Sequence, residues 1–227
     1  MAHARSRNVQ PFVNLPADCL KAKFAPMLKS AESKQTFMER IANIHAPMSK
    51  TYRLIERAYD TAQREFKEKR RDTGEAYFEH LRAATIFAID YLRVTNPNVI
   101  CAILLHDIIE DISGWTFERV SAKFNGKIAI LVWWVTKPEK KGRIQTDAEV
   151  DFAYYNRLRR APRKAIIVKL CDRLHNLTTI WGQPRDRIVR KIEETQCYIL
   201  PLARDHIILF HEFTDALAHI RECLSLV

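Results

Sequence analysis

Two pairs of ionisable residues, His106-Asp107 and Glu110-Asp111, directly follow the apolar run Val99–Leu105. A helix that continues through them advances about 100° per residue, so the four side chains would share one side of it. Three carboxylates and an imidazole in so small a space repel one another and are costly to remove from water, unless a cation lies among them. The spacing therefore predicts a cation site at this point of the chain.

Asp172 is a second charged residue in an apolar setting, because it directly follows the largely apolar stretch 166–171. Asn176 and Thr179 fall on the same helical face, and together the three side chains form a polar stripe along a buried element. Buried carboxylates persist when they are paired or bound to a metal. Pairing with the neighbouring Arg173 is one explanation of Asp172, and metal binding is the other.

His80, His106-Asp107 and Asp172 together make the ordered pattern H…HD…D, in which His106 comes 26 positions after His80 and Asp172 comes 65 positions after Asp107. A lone histidine such as His80 is more often an ordinary surface or core residue than a ligand. The complete pattern, however, resembles that of the HD phosphohydrolase superfamily. Two imidazoles and two carboxylates suit Mn²⁺ or Fe²⁺ better than Mg²⁺, which prefers oxygen ligands alone.

Four motifs narrow this resemblance to the hydrolase domain of RelA/SpoT-type alarmone enzymes, and in particular to the stand-alone small alarmone hydrolases. They are Gly74-Glu75-x-Tyr77-x-x-His80, Leu104-Leu105-His106-Asp107-x-x-Glu110-Asp111, Val135-Thr136-Lys137 and Lys169-Leu170-x-Asp172-Arg173-Leu174-His175-Asn176. Further along, Arg190, Glu194-Thr195 and Pro201-Leu202-Ala203 also resemble that family. The similarity covers about residues 52–205 and leaves residues 1–50 outside it.

The resemblance implies a reaction that removes the 3′-pyrophosphate of (p)ppGpp and yields GDP or GTP with pyrophosphate. It assigns one Mn²⁺, with Fe²⁺ or another divalent ion as the alternative, to His80, His106, Asp107 and Asp172. A bound metal lowers the pKa of its water, so that hydroxide is available near neutral pH. The resemblance gives Glu110 and Asp111 the task of orienting that water and moving its proton.

The same resemblance places further residues at the substrate. Arg71 would stack on the guanine by a cation–π contact, and Lys169 is either a phosphate ligand or the structural partner of a carboxylate. The substrate residues so predicted are Arg71, Thr73, Lys137, Lys169, Asn176, Thr179 and Arg190. The sequence departs from the family pattern at Asp72, Thr178 and Val150-Asp151, which we expect to lie near the nucleotide.

These departures leave the substrate open among several phosphorylated compounds. A (p)ppApp-type nucleotide and tRNA carrying a 3′-pyrophosphate are alternatives to (p)ppGpp, and NADPH or another nucleotide is the substrate of a different HD activity. A non-catalytic nucleotide-sensing module is the remaining hypothesis, but it has no need of Glu110 and Asp111. We expect no stable nucleic-acid partner; a toxin-like synthetase partner stays open.

The elements that position these residues are predicted to be helices. Apolar residues recur at three- and four-residue steps, Pro47 divides the first helical region, and Asn96-Pro97 begins a helix that should run to about Ile112. Ile128–Val135 is predicted to be a buried helix, and two last helices are predicted around 185–200 and 204–224, divided at Pro201. We therefore predict an all-α HD-domain bundle of about nine helices in a single domain.

Within that bundle we predict a partly helical N-terminal extension over residues 1–50. The HD phosphohydrolase domain should occupy residues 51–205, and a C-terminal helix over 206–227 should pack on the same domain.

Composition agrees with this prediction and excludes some classes of protein. Five glycines in 227 residues are few, and neither GxGxxG nor GxxxxGK[ST] occurs, which argues against a dinucleotide-binding fold or a P-loop ATPase. The net charge of +10 suits an anionic partner. The five cysteines form no CxxC motif and the longest apolar runs are too short to span a membrane, so we expect a cytoplasmic protein.

Overall fold

The structure is a computed structural model that describes residues 32–138 and 146–225, and this part of the chain folds into helices joined by turns and loops. Its helices are α1 (Lys34–Ala42), α2 (Lys50–Glu65), α3 (Tyr77–Asp90), α4 (Pro97–Leu104), α5 (Ile108–Asp111), α6 (Phe117–Lys123), α7 (Gly126–Val135), α8 (Asp147–Leu158), α9 (Arg163–Thr178), α10 (Arg185–Glu194), α11 (Leu200–His206) and α12 (Phe210–Ser225). A π-helical turn, Thr195–Ile199, joins α10 to α11.

The predicted all-α architecture is confirmed. Within the described ranges no strand forms, and the one isolated β-bridge joins Arg70 to Ala76. Nine of these helices have eight or more residues, in line with the predicted number. None of the described helices is long and apolar enough to cross a membrane.

Helix α9 lies at the centre of the bundle and contacts α3, α4, α7 and α12. Its neighbour α4 is apolar all round, and every residue from Val99 to Leu104 is buried. The side chain of Asn96 accepts hydrogen bonds from the backbone N–H groups of Asn98 and Val99, and Pro97 occupies the first turn, so α4 begins where the sequence predicts. The centre of the fold is therefore built from the two helices next to the predicted cation site.

The prediction that one helix runs from Asn98 to Ile112 is wrong, because α4 ends at Leu104 and α5 begins at Ile108. Leu105 and Asp107 have ψ angles of 7° and 2°, outside the helical range. The backbone tightens into three-residue turns, in which the N–H of Ile108 donates to the carbonyl of Leu105. His106 and Asp107 consequently occupy the corner between two helices and do not share a helix face with Glu110 and Asp111.

The predicted division at Pro201 is also wrong. Pro201 lies in the first turn of α11, and the chain reverses only at Ile207–Leu209, where Ile207 and Leu209 have φ angles of 54° and 57°. A proline within a helix collides with the carbonyl one turn earlier, but a π-helical turn has a wider hydrogen-bond spacing. The turn at Thr195–Ile199 thus allows the helical path to pass through Pro201.

Helix α12 packs on α9 and α11. It therefore contacts the helix that carries Asp172 as well as the helix that precedes it in the chain. The division of the chain at residues 50 and 205 stays a prediction.

Candidate active site

Three predicted ligands from distant parts of the sequence meet in the interior of the bundle. His80 comes from α3, His106 from the corner after α4 and Asp172 from α9, and each is at most 4% exposed. Their ligand atoms lie within 4.8 Å of one another. Nε2 of His80 lies 3.3 Å from Nε2 of His106 and 3.3 Å from Oδ1 of Asp172, and the latter oxygen lies 3.4 Å from Nε2 of His106.

These separations suit a shared metal ion. Metal–ligand bonds of about 2.1 Å that meet at right angles at the ion place neighbouring ligand atoms about 3 Å apart. Burial lowers the pKa of His80 to about 4, so its ring is neutral at pH 7, as metal ligation requires. The cluster of His80, His106 and Asp172 could therefore hold a divalent cation.

Asp107, the fourth predicted ligand, stands beside His106. Its Oδ2 lies 3.0 Å from Nε2 of His106 and accepts a hydrogen bond of 2.6 Å from the hydroxyl of Tyr77. Tyr77 lies three positions before His80 on α3, so that one turn of this helix supplies a proposed ligand and the residue that holds another. Sequence reasoning missed this role of Tyr77, although the three-residue spacing could have indicated it.

A hydrogen bond on the side of the ring away from the cluster fixes the orientation of His106. Its Nδ1 lies 2.8 Å from the carbonyl oxygen of Ile103, which can only accept, so Nδ1 carries a proton and Nε2 faces the cluster. Although burial opposes it, the carboxylates of Asp107 and Asp172 raise the pKa of His106 well above its ordinary value. A proton and a divalent cation therefore compete for Nε2 of His106.

Asp172 is held by two further side chains of its own helix. Oδ2 lies 2.9 Å from Nζ of Lys169, and Oδ1 accepts a hydrogen bond of 2.6 Å from Nδ2 of Asn176. Burial would raise the pKa of Asp172, but the charges of Lys169 and His106 hold it well below its usual range. Of the two roles predicted for Lys169, the structure thus displays the carboxylate partner.

Glu110 and Asp111, the predicted catalytic pair, lie on the short helix α5 beside the cluster. Oε2 of Glu110 accepts a hydrogen bond of 2.9 Å from the backbone N–H of Lys137. Burial, which removes water from the carboxylate, and the negative charge of Asp107 both raise the pKa of Glu110. Asp111 is paired with Lys69, whose Nζ lies 2.8 Å from Oδ2, so Glu110 is the member of the pair more suited to accept a proton.

The cluster opens into a cavity of about 420 Å³. Eight Lys or Arg side chains and six carboxylates line it, and four of those carboxylates are Asp107, Glu110, Asp111 and Asp172 beside the proposed metal. A wall of this composition suits a polyanionic ligand that meets a cation at one point. Eight other lining residues had no predicted metal, catalytic or substrate role, namely Lys69, Arg70, Tyr154, Tyr155, Arg173, Gln183, Lys191 and Glu194.

Five of the predicted substrate residues line this cavity, and two do not. Arg71, Lys137, Lys169, Asn176 and Arg190 face it. Thr179 lies behind Arg71 and accepts a hydrogen bond of 3.0 Å from its NH2 group. Thr73 lies beside Gly182, within 3.6 Å of the position that a Cβ atom would occupy there.

The three departures from the family pattern have different surroundings. Asp72 lines the cavity and pairs with Arg187 at 2.6 Å, and Asp151 pairs with Lys137. Thr178, however, is buried and its hydroxyl donates to the carbonyl of His175 at 2.9 Å. The expectation that Thr178 lies near the nucleotide is therefore wrong, because its side chain turns to the backbone of its own helix.

A second buried charge network forms part of the cavity wall. Arg173 contacts Oε2 of Glu194 at 3.0 Å and donates to the hydroxyl of Tyr155 at 2.9 Å, and that hydroxyl donates to Glu194. The ring of Tyr155 stacks on Tyr198 with 4.3 Å between centroids. The network joins α8, α9 and α10, the three helices along this side of the cavity.

We expect Glu194→Gln to lower the free energy of unfolding at pH 7 by about 3 kcal/mol. Burial opposes ionisation, but Arg173 and Tyr155 lower the pKa of Glu194 to about 2. A depressed pKa stabilises the fold above the unfolded value of about 4.5 and loses its effect as the pH falls towards 2. Denaturant unfolding of both proteins at pH 7 and pH 3 should therefore show a difference that shrinks by half or more, and a constant difference would contradict this account.

The chain belongs to the HD domain family, whose model matches residues 58–205. This match includes His80, His106, Asp107 and Asp172, and it extends to the end of the region covered by the predicted resemblance. HD domains bind divalent metals, in agreement with the cluster of His80, His106 and Asp172.

Curated relatives carry names from alarmone metabolism. A guanosine-3′,5′-bis(diphosphate) 3′-pyrophosphohydrolase of Aquifex aeolicus is 34% identical over 152 residues, which are 66% of this chain and 21% of that protein. A protein of the same name from Spiroplasma citri is 37% identical over 133 residues, 57% of this chain and 17% of that protein. A probable GTP pyrophosphokinase of Mycobacterium leprae is 32% identical over 152 residues, 66% of this chain and 19% of that protein. The chain thus spans about a fifth of the length of these relatives.

A solved structure has the same fold. It comes from a study of a metazoan orthologue of SpoT that hydrolyses ppGpp. It matches this chain with a TM-score of 0.67 at 19% sequence identity. The match covers 77% of this chain and 98% of that one. It confirms the helical HD fold, and the names of the curated relatives confirm the predicted resemblance to alarmone hydrolases.

Proposed function

We propose that this protein is a metal-dependent phosphohydrolase that removes the 3′-pyrophosphate from a (p)ppGpp-type alarmone, giving GDP or GTP and pyrophosphate. The observation that carries the proposal is the buried cluster of His80, His106 and Asp172 at the wall of a cavity rich in Lys and Arg. The activity in the names of the relatives from Aquifex aeolicus and Spiroplasma citri supports the choice of substrate.

The proposed metal ligands are His80, His106, Asp107 and Asp172. Two nitrogen and two oxygen donors suit Mn²⁺, and Fe²⁺ or another divalent ion is the alternative. When bound, such an ion supplies Lewis acidity toward a phosphoryl oxygen and makes hydroxide available near neutral pH. The Tyr77 hydroxyl and the Ile103 carbonyl hold Asp107 and His106 in the orientation that this binding needs.

Glu110 is the proposed general base. Its carboxylate faces the cavity next to the metal site, and its raised pKa brings it closer to the working pH, at which a base is most effective. Asp111 is tied to Lys69 and would hold the attacking water in place through its second oxygen. The two residues thus divide the task that the sequence assigns to them as a pair.

The proposed substrate contacts are those of a nucleotide with several phosphates. Arg71 and Arg190 line the cavity without a carboxylate partner among the ion pairs of the described residues, so they are available to the base or to phosphate oxygens. Lys137 is paired with Asp151, and Lys169 with Asp172. Lys169 would therefore act by positioning a metal ligand rather than by contacting phosphate.

The test is release of pyrophosphate from purified protein with ppGpp, ppApp and NADPH, each with Mn²⁺ and again with EDTA. We expect metal-dependent release of pyrophosphate from ppGpp, and the rate with ppApp measures the preference for the purine. Release of orthophosphate from NADPH alone would replace the proposal by another HD activity. Tight nucleotide binding without any product would favour the sensing module, and activity on 3′-pyrophosphorylated tRNA alone would move the proposal to that substrate.

A further inference from the structure

His175 is a buried histidine to which the sequence assigned no role. It lies on α9 three positions after Asp172 and is 3% exposed. Its Nδ1 atom lies 2.8 Å from Nδ1 of His80 and 3.2 Å from NH1 of Arg71. His175 thus stands between a proposed metal ligand and a proposed nucleotide residue.

The hydrogen-bond partners of His175 determine which of its nitrogens carries a proton. The guanidinium of Arg71 has only donors and stays charged in proteins, so Nδ1 of His175 must accept from it. The same lone pair faces Nδ1 of His80 at 2.8 Å, and an acceptor there requires that Nδ1 of His80 is the donor. These contacts point to His175 protonated at Nε2 and His80 protonated at Nδ1, whereas Oδ1 of Asp172, 3.3 Å from Nε2 of His80, would accept the proton of the opposite His80 tautomer.

This arrangement matters because a neutral imidazole has one proton and one lone pair. With its proton on Nδ1, His80 presents the lone pair of Nε2 to His106 and Asp172, whose facing atoms lie 3.3 Å away. If the proton moved to Nε2, the ring would present an N–H group to the cluster and could not bind a cation. The direction of one hydrogen bond thus decides whether His80 can act as a ligand.

Arg71 itself is held in place by two other acceptors. Its NH2 group donates to Oδ1 of Asn176 and to Oγ1 of Thr179, both at 3.0 Å. The guanidinium is planar and rigid, so these two bonds also aim NH1 at His175. The imidazoles of His80 and His175 lie with their centroids 4.7 Å apart in the same buried space.

We propose that His175 is a positioning residue that holds His80 in its metal-binding tautomer, and that Arg71 fixes His175 in the form able to do so. The inference rests on the proposed metal site but not on the proposed substrate. It assigns to Arg71 a second task besides nucleotide binding. Through His175, Arg71 also determines which nitrogen of the metal ligand His80 carries the proton.

The first test compares two substitutions by their affinity for Mn²⁺ in the full chain without nucleotide. His175→Asn can place a carbonyl oxygen near the position of Nδ1 and so keeps an acceptor, whereas His175→Leu is apolar and keeps none. We expect the Kd for Mn²⁺, measured by calorimetry or electron paramagnetic resonance, to rise 10- to 100-fold in His175→Leu. In His175→Asn it should rise less than 5-fold, and in the exposed control His211→Leu it should not change.

A double-mutant cycle tests the part assigned to Arg71. Arg71→Met should weaken Mn²⁺ binding, and combining it with His175→Leu should add little, because the two residues act through one hydrogen bond to His80. Arg160→Met, at an exposed arginine outside the cavity, is the matched control and should leave the Kd for Mn²⁺ unchanged. Fully additive losses, or a Kd equally raised in His175→Asn and His175→Leu, would overturn the proposal.

A spectroscopic measurement on the unsubstituted protein keeps the inference testable if a variant does not fold. Imidazole ¹⁵N shifts of the metal-free protein should show Nδ1 of His175 unprotonated, and a proton on that atom would refute the assignment. None of these three measurements uses a substrate, so absence of ppGpp hydrolysis would contradict the proposed function and leave this inference standing.

Discussion

Asp172→Asn should abolish metal binding and with it the hydrolytic activity, and it should also lower the free energy of unfolding by about 3–5 kcal/mol. The carboxylate faces both imidazoles of the cluster and is the counter-charge of Lys169, whose side chain is only 15% exposed. Asparagine keeps the volume and loses the charge. The ammonium of Lys169 would then remain nearly buried without a partner.

Titration with Mn²⁺ and denaturant unfolding measure the two effects separately. The matched control is the double variant Asp172→Asn with Lys169→Met, which removes the unpaired charge as well. We expect it to regain a large part of the lost stability but no metal affinity. A single variant that still binds Mn²⁺ with unchanged Kd would show that Asp172 is a structural ion-pair partner and not a ligand.

Glu110→Gln should lower kcat by a factor of about 10²–10⁴, the usual contribution of a positioned general base. The change keeps the side-chain oxygen that accepts from the N–H of Lys137, so the position of α5 should be preserved. Glu110 is outside the proposed ligand set, and the Kd for Mn²⁺ should therefore change by no more than a few-fold. Steady-state kinetics with ppGpp and metal titration provide the two readouts.

Glu118→Gln is the control for this substitution, since Glu118 lies in the first turn of α6 and is exposed. It should leave kcat and metal affinity unchanged. If Glu110→Gln retained full kcat, the proton would have to be taken by another group, and Asp111 would be the next residue to substitute.

Much of the fold could be predicted because it depends on local patterns. The spacing of apolar residues, the Asn96 cap and Pro97 together specify where helices form, and the structure has them close to those positions. The two errors, at Leu105–Asp107 and at Pro201, concern the path of the backbone within helical sequence. A tightened corner and a π-helical turn are small changes of hydrogen-bond register, which residue type alone does not specify.

The sequence by itself determined the kind of chemistry: two histidines, two aspartates and a Glu-Asp pair in an order that resembles one family of hydrolases. Tertiary structure decided the partners of each side chain. Tyr77 holds Asp107 across 30 positions of the chain, and His175 joins His80 and Arg71, which lie 95 and 104 positions before it. The reason is physical: such contacts arise where α3 and the segment before it pack against α4 and α9, and helix periodicity fixes which face is buried but not which atoms meet there.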